Sequence, residues 1–552
     1  MQSYKILGIL ALTTTSVYAQ KEIDLGSQQY DVVKDRKIEM PEANRVFEKI
    51  QPIPSKAEDR QVKYTFFDRK PTGIEEVKFN PNIVQPEFNK NKKDEYLFNN
   101  YAKVGAGNFG RWYGEAFLHT SPENALSFGI NGLHNSTTRG PVDNKNSGVS
   151  KDLINLEGKY HTNAFEINAN AGYERRAYAF YGYKRMPNVE VPKDSIRQTI
   201  NIFKVDFALR NIIPNPRVDY SLKTSINSLS DYYSATELDW GTNFKAYFPI
   251  IEQKFIALIN ADAYMTQRSD SIINKRNLFR VEPSFKLNLN SFGAKIGYRA
   301  VNEFDEIAKV NRTKGFPTAE ITYKTPSLLY FYAGFEGDIV RNTLSSFLNE
   351  NPFLQKKITL LNTEKNQDFY IGSRGDLVAG VSYNVKASYG KYKNLYFFNN
   401  DFKTDSTKFI ALYDTTKTRF INVSAQFNYQ PVSFWRTNLK VDYFNYGVKM
   451  YAKAFHRPSM NIKWGNTLIF SDKMIVNLET YFISSSYAQN TVTNTLIKNK
   501  SIVDLNAEFD YLMGKQFTVF VKLNNIIGKN YQRYLYYPQQ GLNFLVGVNF
   551  SF

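Results

Sequence analysis

The sequence predicts an all-β fold: a transmembrane antiparallel β-barrel of about 22 strands, with a short, mostly irregular N-terminal extension. Three observations carry this. From Tyr96 onward, segments of about ten residues alternate apolar and polar side chains, the period of a strand. The connections between them are short and long by turns, as in barrels with short periplasmic turns and longer outer loops. Aromatic residues make up 15% of the chain, with 38 Tyr and 43 Phe, which suits two interfacial girdles.

Bulk properties remove other classes. The hydrophobic fraction is 42%, and no run of about 18 apolar residues follows the N-terminus, so helical spans are not expected. There is no cysteine, which excludes disulfides, thiol catalysis and cysteine metal sites. The net charge of +18 fits loops and a lumen facing anionic lipid headgroups or solutes better than nucleic acid.

Taken in order, residues 1–19 read as a secretory signal: Lys5, an apolar core from Ile6 to Leu12, then Val17-Tyr18-Ala19, with cleavage expected after Ala19. Residues 20–95 are rich in charge and proline, with Pro41, Pro52, Pro54, Pro71, Pro81 and Pro86 interrupting regular structure. They hold too few clustered apolar residues for a core, so the segment is a reduced plug substitute in the lumen or a docking segment for a partner.

Residues 96–552 form the barrel. Phe165, Ile167, Ala169, Ala171 and Tyr173 alternate with Glu166, Asn168, Asn170 and Glu174; Val503, Leu505, Ala507 and Phe509 alternate with Asp504, Asn506, Glu508 and Asp510. Short links such as Thr162-Asn163, Asn290-Ser291 and Met513–Gln516 take turns with long ones at Arg185–Ser195, Glu303–Lys314, Asn342–Asn366 and Ser484–Lys500. Between Leu395 and Phe420 the pattern allows either an extra strand or packing within a loop. The final stretch, Leu542–Phe552, sets Phe544, Val546, Val548, Phe550 and Phe552 on one face. Phe552 is expected to serve as an assembly signal read by the barrel-assembly machinery.

The stretch Asp504–Phe552 resembles the end of TonB-dependent receptors. It contains the strand Phe517-Thr-Val-Phe-Val-Lys-Leu-Asn-Asn, then Asn525-Ile-Ile-Gly-Lys-Asn-Tyr531, then Tyr537-Pro538 with Gly541, then the aromatic closing strand. The usual Pro-Gly-Arg is here Pro538-Gln-Gln-Gly541. Tyr101–Tyr113 is similar to the first hairpin of a plugless, receptor-like subgroup. Residues 20–95 are too few for the family's plug and carry no coupling box. The resemblance implies the outer membrane of a Gram-negative-type bacterium, contact with outer-membrane lipid or lipopolysaccharide, and a periplasmic or outer-membrane protein partner.

Sites for chemistry are sparse. The four histidines, His119, His134, His161 and His456, show no metal-ligand spacing, and no Gly-x-Ser-x-Gly elbow, phosphate loop or dinucleotide fingerprint occurs. No enzyme and no cofactor is expected. Lumen-facing polar candidates are Asp504, Glu508 and Asp510, with Lys463, Lys440 and Asp442 on preceding strands. They either line a solute path or bridge neighbouring strands. Two functions remain: a receptor or channel for solute passage without a full energised plug, or an accessory or scaffold barrel of an envelope machine for outer-membrane protein assembly or secretion.

Overall fold

Period-2 patterning gives each strand one apolar and one polar face, and only a closed sheet lets a whole set of such strands satisfy every backbone group. A computed structural model shows this closure. It describes residues 100–552, apart from 121–124, 186–189, 214–215, 252–253, 271, 327–328 and 379. The signal and extension expected before residue 96 lie outside the described residues.

The wall begins with β1 (Tyr101–Gly107), β2 (Arg111–His119), β3 (Leu126–Thr137), β4 (Val149–His161), β5 (Phe165–Ala179) and β6 (Arg197–Asn211). It continues through β7 (Asp219–Asp231), β8 (Thr236–Ile251), β9 (Phe255–Ser269), β10 (Ile273–Leu289), β11 (Phe292–Asp305) and β12 (Val310–Lys324). Next come β13 (Tyr330–Val340), β14 (Thr363–Val378) and β15 (Val381–Lys393). A hairpin outside the wall follows, β16 (Leu395–Asp401) with β17 (Asp405–Asp414). The wall resumes with β18 (Thr418–Val432), β19 (Trp435–Gly447), β20 (Met460–Phe470) and β21 (Met474–Ile483). A second outside hairpin, β22 (Ser486–Asn490) with β23 (Thr495–Asn499), precedes β24 (Ile502–Leu512), β25 (Phe517–Asn524) and β26 (Asn543–Ser551). Each wall strand pairs antiparallel with the next, and β26 pairs with β1, closing a 22-stranded ring.

At the seam, Gly107 and Gly547 permit an unusually close backbone approach. A Cβ on Gly107 would lie 1.9 Å from the Phe544 carbonyl oxygen, and one on Gly547 would lie 2.0 Å from that of Val104.

The outward face is a belt of exposed apolar side chains, among them Phe285, Ile296, Ile321, Phe369, Ile371 and Val548. A continuous apolar surface of this extent is suited to lipid. Long connections gather at one end of the barrel; tight turns, Tyr101 and Ser551 lie at the other. Two sequence expectations are refined. The link expected across Glu303–Lys314 is a four-residue turn, because β11 and β12 extend to Asp305 and from Val310, beyond the apolar belt. The ambiguous stretch near residue 400 is the β16–β17 hairpin, standing apart from the wall.

Candidate functional site: a cap across the long-loop mouth

Six connections converge over one mouth, and four of them build a single apolar core. Phe180 and Tyr181 come from the β5–β6 loop, and Phe347, Phe353, Leu354 and Leu360 from the β13–β14 loop. Phe398, Phe409 and Tyr413 come from the β16–β17 hairpin, and Tyr534 and Tyr537 from the β25–β26 loop. Joining them are His456, between β19 and β20, and Ala488, on the β22–β23 hairpin; both are buried.

Local sequence explains how these pieces are held. In the β13–β14 loop, α1 (Leu344–Glu350) starts with a capping box: Thr343 Oγ1 accepts from the Ser346 amide, and Ser346 Oγ accepts from the Thr343 amide. The Glu237 carboxyl on β8 accepts from the amides of Leu344 (2.7 Å) and Ser345 (3.0 Å), satisfying two donors at the helix N-terminus. Leu344, Phe347 and Leu348 then share the buried face of the helix. Arg276 of β10 fastens this loop to the wall. It pairs with Asp305 at 2.8 Å, and donates to the Asn342 carbonyl at 2.6 Å and to Asn362 Oδ1 at 2.9 Å.

The loops hold one another by backbone and ring contacts. Phe409 N donates to the Phe353 carbonyl at 2.9 Å, and Gln355 N to that of Phe409 at 2.9 Å. Phe353 stacks on Tyr537 with ring centres 3.5 Å apart. The Tyr534 hydroxyl donates to the Glu350 carbonyl, and that of Tyr537 to the Thr407 carbonyl. Asn399 and Gln489 join the two outside hairpins by bonds of 2.8 and 2.9 Å.

His456 is buried in the cap beside the rings of Phe409 and Tyr534. Its Nδ1 lies 2.9 Å from the Phe398 carbonyl, and its Nε2 lies 3.3 Å from the Leu535 amide. Burial, only partly opposed by the bond to Phe398 and reinforced by nearby Arg533, pulls its pKa down to about 4, so the ring is neutral near pH 7. At roughly 1.5–3 kcal/mol per fully buried large side chain, burial of this core stabilises the packed loop layer.

A cavity of ≈130 Å³ opens at one edge of the cap, lined by Lys151, Arg176, Tyr178, Phe353, Arg533 and Tyr534 among others. Lys151 and Arg176 both pair with Glu174, at 3.1 and 2.7 Å. Among the described residues, the Tyr178 hydroxyl is buried there without a hydrogen-bond partner.

The structure sets the six lumen candidates on the inner face and pairs most of them locally. Asp504 accepts from the Tyr531 hydroxyl at 2.7 Å, which ties β24 to the β25–β26 loop. Glu508 lies 3.1 Å from Lys103 and 3.4 Å from Lys522. Asp510 is half-buried two residues further along. Lys440 and Lys463 face one another across β19 and β20, and each turns to a carboxylate, Asp442 at 3.3 Å and Glu479 at 3.3 Å. These residues do not gather into one site. Phe552 stacks on Phe550 with ring centres 5.3 Å apart, and its backbone exchanges hydrogen bonds with Asn100.

A denser set of ion pairs covers β9–β14. Glu282 accepts from Lys295 (3.0 Å) and Arg299 (2.8 Å), and Arg280 bridges Asp262 (2.8 Å) and Asp338 (2.9 Å). Arg312 bridges Glu303 (2.8 Å) and Glu364 (3.1 Å). Sequence reasoning did not single out these residues; their only trace there is Arg and Glu at alternate positions of adjacent strands.

No family model matches the chain, and no curated protein is similar to it in sequence. Solved structures share the fold. The pyoverdine outer membrane receptor FpvA from Pseudomonas aeruginosa PAO1 is 10% identical with a TM-score of 0.62, over 84% of this chain and 79% of that one. The FrpB iron transporter from Neisseria meningitidis is 9% identical with a TM-score of 0.63, over 83% and 82%. The siderophore receptor PirA from Acinetobacter baumannii is 10% identical with a TM-score of 0.61, over 84% and 81%. These are transport receptors rather than enzymes by their descriptions, and at such identities the likeness concerns the barrel.

Proposed function

We propose that the chain is a receptor-type outer-membrane barrel that recognises a solute at its outer loops and admits it through a bore closed at rest, without a full energised plug. The observation that carries this reading is the cap: six loops packed across the mouth, with a basic, aromatic-lined cavity at its edge. The lipid-suited belt supports the membrane placement, and the long-loop end faces outward. Residues 20–95 serve as a reduced plug substitute or a docking segment for a periplasmic or outer-membrane partner. Outer-membrane lipid, including lipopolysaccharide, surrounds the belt, and the closing strand with Phe552 engages the assembly machinery. The candidates Asp504, Glu508, Asp510, Lys463, Lys440 and Asp442 act as wall bridges beside the solute path.

The extent of the buried aromatic core favours one further reading, a permanently sealed scaffold barrel in an envelope machine. Two measurements test the proposal. In intact cells, Val492→Cys should react with a membrane-impermeant thiol reagent and Lys515→Cys should not; the reverse result would refute the orientation. In planar bilayers, the full chain should conduct little, and removal of residues 22–90 together with the β16–β17 hairpin should open a wide channel. A barrel that stays sealed after both deletions, while remaining folded, would favour the scaffold.

A further inference from the structure

The outer surface of the wall carries an arrangement that neither the cap nor the lumen uses. His134 and Ser136 stand two residues apart on β3, on the face that also presents Phe128 and Ile130 outward. His134 Nε2 lies 3.0 Å from Ser136 Oγ, and its Nδ1 lies 2.6 Å from Asp152 Oδ1 on β4. Asp152 is the register partner of His134 and presents Oδ2 to Arg175 (3.0 Å) and Ser150 (3.1 Å). With an Nδ1 proton directed at the carboxylate, Nε2 is left to accept the Ser136 hydroxyl. A hydroxyl, an imidazole and a carboxylate in this order and spacing are recognised by geometry and role, on any fold.

The surroundings say what could reach it. Ser136 is one residue from the long-loop end of β3, and its cross-strand neighbour Trp112 is 63% exposed, as an interfacial Trp would be. On the same face Gly114 lies opposite His134, and Ala116 lies opposite Gly132. A Cβ built on Gly114 or Gly132 would meet nothing within 4 Å. These small residues floor a shallow trough from the hydroxyl toward the apolar belt, flanked by exposed Val104 on β1 and Ile154 on β4. An acyl chain could lie along it with its ester carbonyl beside Ser136.

The geometry points to a serine acyl-hydrolase site for an ester of a membrane lipid, formed by Ser136, His134 and Asp152 on the outward face of β3 and β4. Ser136 Oγ attacks the ester carbonyl carbon while its proton passes to His134 Nε2. The C–O bond to the alcohol then breaks, and the imidazolium gives that proton to the leaving oxygen. Water attacks the acyl-serine, losing a proton to His134. The Oγ–acyl bond breaks, Ser136 recovers its proton, and one ester and one water have become an acid and an alcohol. Asp152 is the positioning residue, held in turn by Arg175 and Ser150. The inference rests on the bilayer placement of the barrel and not on solute passage. A receptor-type scaffold does not decide it, because sites are local to a fold.

The test uses the purified full chain in detergent micelles with a fluorophosphonate probe, which a reactive serine captures by displacing fluoride. Labelling should map to Ser136, vanish in Ser136→Ala, and fall by roughly 10²–10⁴-fold in His134→Ala. Asp152→Asn should slow it as well, and Asp152→Glu should restore part of the rate. Each variant should keep the heat-modifiable gel mobility of a folded barrel. In vesicles, the wild-type chain should release fatty acid from a diacyl phospholipid or from lipopolysaccharide, the two arms showing which lipid supplies the ester. A folded wild-type barrel unlabelled at Ser136 would overturn the site. Fatty-acid release that Ser136→Ala leaves unchanged would do the same, and labelling without release from either lipid would overturn the lipid ester as substrate.

Discussion

The Lys408 ammonium lies 5.2 Å from the ring centre of Phe180, although the loops that carry them leave the wall at β15 and β5, ten steps apart in a ring of 22. Two loops rooted that far apart can meet only by crossing the mouth. The cap is therefore a layer over the bore and not a fringe around it.

Phe353 is the centre of that layer, in contact with Tyr178, Tyr181, Tyr534 and Tyr537. Phe353→Ala should cost the cap about 3–5 kcal/mol. Limited proteolysis should then cut within residues 341–362 while the barrel stays heat-modifiable. Phe369→Ala on the lipid face, 50% exposed, should leave the cleavage pattern unchanged.

The expectation of a large antiparallel barrel of about 22 strands needed only local information. Phe165, Ile167 and Ala169 face away from Glu166 and Asn168 because a strand has period 2, and the belt requires one face to be apolar. The signal fades where both faces of a strand are wet, which is why Glu303–Lys314 read as loop. The cap was not legible. Phe180, Phe353, Phe409 and Tyr537 lie far apart in sequence, and no period links them. The same holds for Asp152: His134-x-Ser136 is visible in the sequence, but only the β3–β4 register brings the carboxylate beside the imidazole.

His456 gives the cap a dependence on acidity. Its pKa is about 4 in the folded chain against an ordinary 6.5, so the unfolded loop binds the extra proton more readily. Its stabilising contribution is complete above pH 6.5, declines as pH falls toward 4, and amounts to about 3 kcal/mol across that window. Hydrogen exchange in residues 453–459 and 533–537, corrected for intrinsic rates, should accelerate between pH 7 and pH 4 in the wild type. In His456→Gln it should vary far less over the same range. An equal acceleration in the variant would remove His456 as the cause.

Arg276 couples wall to cap through one buried guanidinium. Arg276→Ala leaves the Asp305 carboxylate buried without that partner, and should lower stability by about 3–5 kcal/mol. The temperature at which gel mobility shifts should fall, and exchange at Asn342 and Asn362 should rise with it. If only the mobility shift changes, the two bonds to the loop carry no weight in holding the cap.

The pairing of β1 with β26 has a consequence for the order of manufacture. The first wall strand has to wait for the last, so every half-built wall exposes two unpaired edges, each able to recruit a foreign strand. The final zippering then occurs along the track of Gly105, Gly107 and Gly547, where the two backbones approach closely beneath Phe520 and Leu545. Bulk introduced on that track, as in Gly547→Val, would act on the last event of assembly: it would let the sheet form and prevent it from becoming a cylinder.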